Sequence, residues 1–190
     1  MSLTADEIAE LKRWIKRRRP LKGIYYRSVE YRFMNPDEVL NGRGTQLYGG
    51  RFAEMGVKAA YLAASDFGAS KEVLARKKRL GGQAQITIDK YPRVIFGVDV
   101  ALEKVVSWLR KPRSPVLEAL RQGCLSKDDL SRSQEVGNHL RMSGVQGLLF
   151  PSVAGGGQNL IVFLENCGSS ALKLQNLAEL KKKIAEFMRA

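Results

Sequence analysis

The chain has 190 residues, 44% of them hydrophobic, so it can bury one sizeable core and little more. Its 32 Lys/Arg against 19 Asp/Glu leave a formal charge of +13, which favours phosphate-rich ligands, nucleic acid or an acidic protein partner. No apolar run approaches the roughly 20 residues that cross a bilayer, and the single histidine, His139, argues against an imidazole-built metal site.

Thr4 with Glu7 three residues on has the pattern of a capping box, Ile8, Leu11 and Ile15 follow at helical spacing, and Pro20 should end the helix. Its acidic residues precede its basic run with no apolar stretch between, the wrong order for a secretory signal. Residues 23–29 (GIYYRSV) are apolar and aromatic enough for a strand. Residues 35–56 hold five glycines and few apolar periods, and read as a loop-rich insert. Residues 59–64 read as a short buried strand, with Ser65 as the N-cap of a helix reaching about Arg79, broken by Gly81-Gly82. Residues 83–91 and 93–100 have strand character, and residues 115–122 suggest a short helix. Ser126 reads as the cap of another, with Asp128 and Asp129 at the positive end of its dipole, running to about Met142. Residues 147–153 and 159–165 read as strands joined by a glycine turn, and a strand (171–175) and helix (177–188) close the chain.

Strands and helices do not alternate regularly, so the expected fold is α+β, a mixed, largely antiparallel sheet flanked by helices. No repeat or linker divides it. The expected organisation is a basic N-terminal helix (residues 1–22), a catalytic domain (23–166), and a C-terminal strand and helix packed on it (167–190). The first and last segments carry net charges of +4 and +3, leaving +6 between them, and the terminal runs read first as solvated helix faces. Cys124 and Cys167 lie far apart and in no CxxC, as reduced thiols of a cytoplasmic protein would.

Four segments are odd for a purely structural chain. Tyr26-Arg27 sets an arginine in an apolar strand, which alone is an outward residue of the pleat. In LNGRGTQLYGGRF (residues 40–52) the glycines allow close backbone approach, and Arg43 and Arg51 can fork onto phosphate oxygens. It matches neither a Walker loop nor the dinucleotide fingerprint, so a flexible surface loop remains open. Tyr61 on its strand and Glu72 in mid-helix are ordinary core and solvent residues one by one. Glu72, however, shares a helical face with Ala69 and Arg76, while Phe67 and Leu74 lie on another, which frees it to point at the end of the sheet. Ser152, after Pro151, is in no nucleophile elbow, and with His139 as the one imidazole a serine-hydrolase triad does not fit. Ser152 and Asn159 read as positioning groups beside a glycine-lined cleft.

Taken in order, these segments resemble the RES domain, named for its Arg, Glu and Ser residues. The resemblance spans about residues 24–165. It is carried by Tyr26-Arg27, by Gly49-Gly50-Arg51 after the glycine-rich loop, and by Tyr61-Leu62-Ala63 ahead of the helix bearing Glu72. SQEVGNHLRMSGVQGLLFPS (residues 133–152) and the Gly-Gly-x-Asn-Leu ending at Leu160 complete it. One departure is Phe52-Ala53, where the family often has Trp-Asn. The resemblance implies an ADP-ribosyltransferase-like fold and a toxin of a toxin–antitoxin pair. Such a toxin cleaves NAD between nicotinamide and ribose, with inorganic phosphate as acceptor, while some relatives transfer ADP-ribose to a protein. It implies catalytic roles for Glu72, Arg51 and Ser152, and NAD contacts from Tyr26, Arg27, Arg51, Tyr61 and Asn159. NAD is then a substrate, so no resident cofactor and no metal is expected. The implied partner is an acidic antitoxin of Xre type, with nucleic acid met only through it, no membrane, and a homo-oligomer left open.

The residue types suit that chemistry. The departing pyridine is already cationic in the bond and needs no acid, so one carboxylate can support the oxocarbenium-like transition state. Two other classes remain. A nucleic-acid-binding module or ribonuclease is disfavoured by the missing aromatic-basic interleaving and the lone histidine. An inactive relative acting as an interaction protein has Phe52-Ala53 as its one hint.

Overall fold

The computed structural model of the chain describes residues 2–79, 93–126, 130–155, 157–179 and 181–182. The first helix, α1 (Ala5–Ile15), starts on the expected capping box: Thr4 Oγ1 accepts from the Glu7 N–H, and the Glu7 carboxylate accepts from the Thr4 N–H. It stops at Ile15 and not at Pro20. The N–H groups of Arg17 and Arg18 turn back onto the carbonyls of Trp14 and Ile15, and Pro20 already lies in strand β1 (Arg19–Glu30).

The stretch expected as loop contains a helix, α2 (Arg43–Tyr48). Its boundaries are set by Gly42 at φ 72° and Gly49 at φ 64°, left-handed conformations that glycine adopts without strain. Then follow β2 (Ala59–Ala63), α3 (Asp66–Arg79) and β3 (Arg93–Ser107). After them come α4 (Pro115–Leu125), α5 (Ser131–Met142), β4 (Gly147–Pro151), β5 (Gln158–Phe163) and β6 (Leu172–Leu174). Ser126 closes α4 instead of opening the next helix, since its N–H bonds to the Gln122 and Gly123 carbonyls and its hydroxyl donates to Gly123. Asp128, Asp129, the strand expected over 83–91 and most of the helix expected over 177–188 lie outside the described residues.

The architecture is the mixed, mainly antiparallel sheet expected, with helices against it. Strand order is β1-β2-β5-β4-β3-β6, and among the described residues the one parallel pairing is β3 with β4. β1 also pairs with β3 along most of its length, so β1, β2, β5, β4 and β3 close on themselves. One face of each ring strand points inward, where Tyr25, Leu62, Val98, Leu102, Leu149 and Leu160 form a core. The outer faces of β2, β4 and β5 form a second core with α1, α4 and α5, centred on Trp108, Phe52 and Phe163. β1 and β2 meet at a single register pair, Tyr26 with Ala63, and this is the open seam of the ring. Among the described residues no helix is long and apolar enough to cross a membrane.

Candidate active site

The end of the sheet carries a row of paired residues across four strands, Tyr26, Ala63, Asn159 and Phe150. Paired residues share a face, and alternation along β2 adds Tyr61 to it, two positions from Ala63. Ser65 caps the turn from β2 into α3 by accepting from the Gly68 N–H at 2.9 Å, which sends the helix back across this end. Glu72, two turns in, thereby meets the β4–β5 turn. Its Oε1 accepts from Ser152 Oγ at 2.5 Å and from Asn159 Nδ2 at 2.8 Å. Both are charge-assisted bonds, so the carboxylate is held in one orientation.

The donors are themselves fixed. Ser152 Oγ accepts from the Ala154 N–H, and the Ser152 N–H donates to the Gly157 carbonyl. The turn that permits this needs φ 76° at Gly155 and 94° at Gly157, positions an L side chain would strain. Asn159 is 6% exposed, and its buried Oδ1 has no partner among the described residues. Among those residues Glu72 Oε2 likewise accepts no hydrogen bond. Glu72 thus keeps one carboxylate oxygen that can accept from a ligand hydroxyl.

The arginines are placed differently from the carboxylate. Tyr26 shares the face of Asn159, so Arg27 lies on the reverse face of β1 with Tyr25 and Phe96. Its guanidinium enters the seam, where Nη1 donates to the Tyr61 carbonyl at 3.1 Å while the buried Nε has no partner among the described residues. Burial holds this guanidinium down at about 10, with the like charge of Arg93 adding to the effect. Arg93 is itself paired with Glu30 at 3.5 Å, so the desolvated Arg27 guanidinium is the cation that an anion would meet in the seam. Arg51 Nη1 donates to the carbonyls of Cys124 and Ser126 at 2.8 and 2.6 Å, at the negative end of α4. Tyr61 links the two regions: its hydroxyl accepts from the Phe52 N–H at 2.8 Å, and its ring lies where a Cβ on Gly50 would stand. The structure thus joins Glu72, Ser152 and Asn159 directly. Tyr26 and Tyr61 lie on the same face, whereas Arg27 reaches the Tyr61 backbone from the reverse face and Arg51 is held at the end of α4.

A family model described as the RES domain matches residues 24–177. The chain belongs to that family. It is also similar to a chain in the crystal structure of the M. tuberculosis MbcT–MbcA toxin–antitoxin complex, at 22% identity with a TM-score of 0.75. The likeness covers 95% of this chain and 98% of that one, and at this identity it shows a common fold. No curated protein matches the chain.

Two supports of this RES domain carried no role in the sequence reading. Gln134 on α5 donates Nε2 to the Gly50 carbonyl at 3.0 Å. One turn on, Gly137 lies so close to the Phe52 backbone that a Cβ there would stand 1.9 Å from the Phe52 carbonyl oxygen. A glycine inside a helix was the available signal, because it weakens the helix unless close packing needs it. Phe52-Ala53, the departure from the family pattern, is absorbed by the core. Phe52 is fully buried, edge-on to Phe150 at 4.9 Å and to Trp108 at 5.9 Å, and the Ala53 carbonyl accepts from the Gly50 N–H. Among the described residues no His/Cys/Asp/Glu group could hold a metal ion. Burial pushes the Cys167 thiol up to about 11, which leaves it a poor nucleophile.

Proposed function

We propose that this RES domain is the toxin of a toxin–antitoxin pair and that it cleaves NAD between nicotinamide and ribose in the cytoplasm, with inorganic phosphate as acceptor. The observation that carries the reading is the Glu72 carboxylate, tied by Ser152 and Asn159 through one oxygen only. Nicotinamide leaves with the bonding pair as a neutral pyridine, and positive charge develops at the ribose anomeric carbon. A carboxylate already locked in place needs no reorganisation to stabilise that charge. Its second oxygen would accept a ribose hydroxyl, while Asn159 acts by holding the first. Tyr26 and Tyr61 border the same face, where an aromatic ring can pack against nicotinamide. The Arg27 seam, with Arg93 behind it, suits the diphosphate or the incoming phosphate. Phosphate oxygen then bonds to the anomeric carbon, leaving ADP-ribose phosphate. An acidic antitoxin of Xre type would suit a domain of charge +13, and the fold's similarity to a chain from a toxin–antitoxin complex supports an antitoxin as partner.

Incubation of the purified chain with NAD, with and without phosphate, followed by mass analysis of the products, tests this. Release of nicotinamide with phosphate-dependent ADP-ribose phosphate is expected, and Glu72→Gln should lower turnover by about 10²–10³-fold. Undiminished turnover in Glu72→Gln, or no nicotinamide from the wild type, would overturn it. ADP-ribose alone, or ADP-ribose on a protein, would replace the acceptor and keep the bond cleaved.

A further inference from the structure

Two stretches of this chain contain no acidic residue: residues 11–29, with eight Lys/Arg, and residues 104–117, with four. They are distant in sequence and adjacent in the fold. Trp14 stacks on Trp108 with ring centroids 5.0 Å apart, and Arg19 pairs with Val105 across the start of β1 and the end of β3. The chain leaving each tryptophan therefore reaches the surface at one place. It carries Arg17, Arg18 and Arg19 on one side and Arg110, Lys111 and Arg113 on the other, all six exposed. Of the carboxylates that bound the second stretch, Glu103 is exposed opposite the start of β1 and offsets one charge, and Glu118 is buried with Arg121 Nη1 at 3.3 Å.

We propose that this face binds the phosphate backbone of a nucleic-acid duplex, an activity separate from NAD cleavage. Five of the six cations are arginines, whose planar forks match phosphate oxygens. Single strands are held by bases stacked on exposed aromatic rings, and here both tryptophans are committed to the core, 8% and 0% exposed. A protein partner would call for an exposed aromatic or methionine anchor at the centre, and none stands among these cations. What remains is a charged surface without base-reading groups. That fits backbone contact with a duplex, independent of sequence.

The test is fluorescence anisotropy with short labelled duplexes of DNA and of RNA, the matching single strands, and anionic phosphatidylglycerol vesicles, all without NAD. Binding to a duplex is expected to weaken by roughly 10³-fold between about 50 and 200 mM salt if all six cations meet phosphates. Replacing four of them together (Arg17→Gln, Arg18→Gln, Arg110→Gln, Lys111→Gln) should make the slope of log affinity against log salt shallower by about 3–4. The charge-keeping Arg17→Lys, Arg18→Lys, Arg110→Lys variant should retain it, and an unchanged Tm shows that both variants fold. Binding to either duplex, DNA or RNA, with this slope supports the proposal. No duplex binding at about 50 mM salt, an unchanged slope in the glutamine variant, equal affinity for single strands, or binding to the vesicles alone would each overturn it.

Discussion

Glu72 and Arg27 show how neighbours decide what an ionisable side chain does. Glu72 sits at a half-buried helix position that is usually solvent-facing, and two neutral donors from the far end of the chain turn it into an oriented carboxylate. Sequence periodicity could put it on a face, but the donors lie 80 and 87 positions away. Arg27 is the opposite case. Its native pKa, about 10, lies below that of a free guanidinium, so between those values the native state binds fewer protons than the unfolded chain. The penalty for burying the cation is therefore present in full below pH 10 and is relieved as pH rises through that window. Anion binding has the reverse dependence, because it needs the proton. Calorimetric titration with inorganic phosphate should show a dissociation constant that is flat to about pH 9 and rises about tenfold per unit above about pH 10. A profile that stays flat well beyond that point would remove Arg27 from the phosphate site.

Among the elements, α5 does the most for the site while contributing no side chain to the Glu72 cluster. It is held from behind by α1 and the residues leading into it: Glu135 accepts from the Leu3 N–H, and Arg132 pairs with Glu7. Its front face presents Gln134 to the Gly50 carbonyl and Gly137 to the Phe52 backbone, so α5 places the Gly50–Ala53 segment that leads to Arg51 and Tyr61. Gly137→Ala would drive a methyl into backbone, where nothing flexible can yield. A loss of about 1–3 kcal/mol is expected, read as a lower Tm, together with a fall in NAD turnover. If Gly137→Ala kept both, the helix would not be what positions that segment. The motif around Gly137 was legible in the sequence, and its purpose was not, because the surface it meets comes from residues more than eighty positions earlier. The helix at 43–48 escaped notice for a local reason: at six residues, between two glycines, it is too short to show a period.

At the scale of the molecule, the basic N-terminal helix is part of the main core. Leu11, Trp14 and Ile15 are all buried there, against Trp108. At about 1.5–3 kcal/mol for each large apolar side chain, their burial compares with the roughly 5–15 kcal/mol that holds a domain of this size. A chain starting at residue 23 should therefore lack a cooperative thermal transition in near-ultraviolet circular dichroism. A sharp melt would show that the RES match contains an independently stable unit. The charge follows the same logic, since the run at 16–19 reads as a solvated helix end until the tryptophan stack sets 110–113 beside it. Periodicity, capping residues and motif order were enough to reveal the capped first helix, the strands around the site, the mixed sheet and the family. These depend on neighbours within a few positions, or on types and order alone. Folding in three dimensions was needed to close the ring, to turn Arg27 and not Tyr26 to the inner face of β1, to bring Ser152 and Asn159 onto Glu72, and to merge two basic segments. Each of these depends on strand register and on contacts between distant residues, which no local pattern encodes.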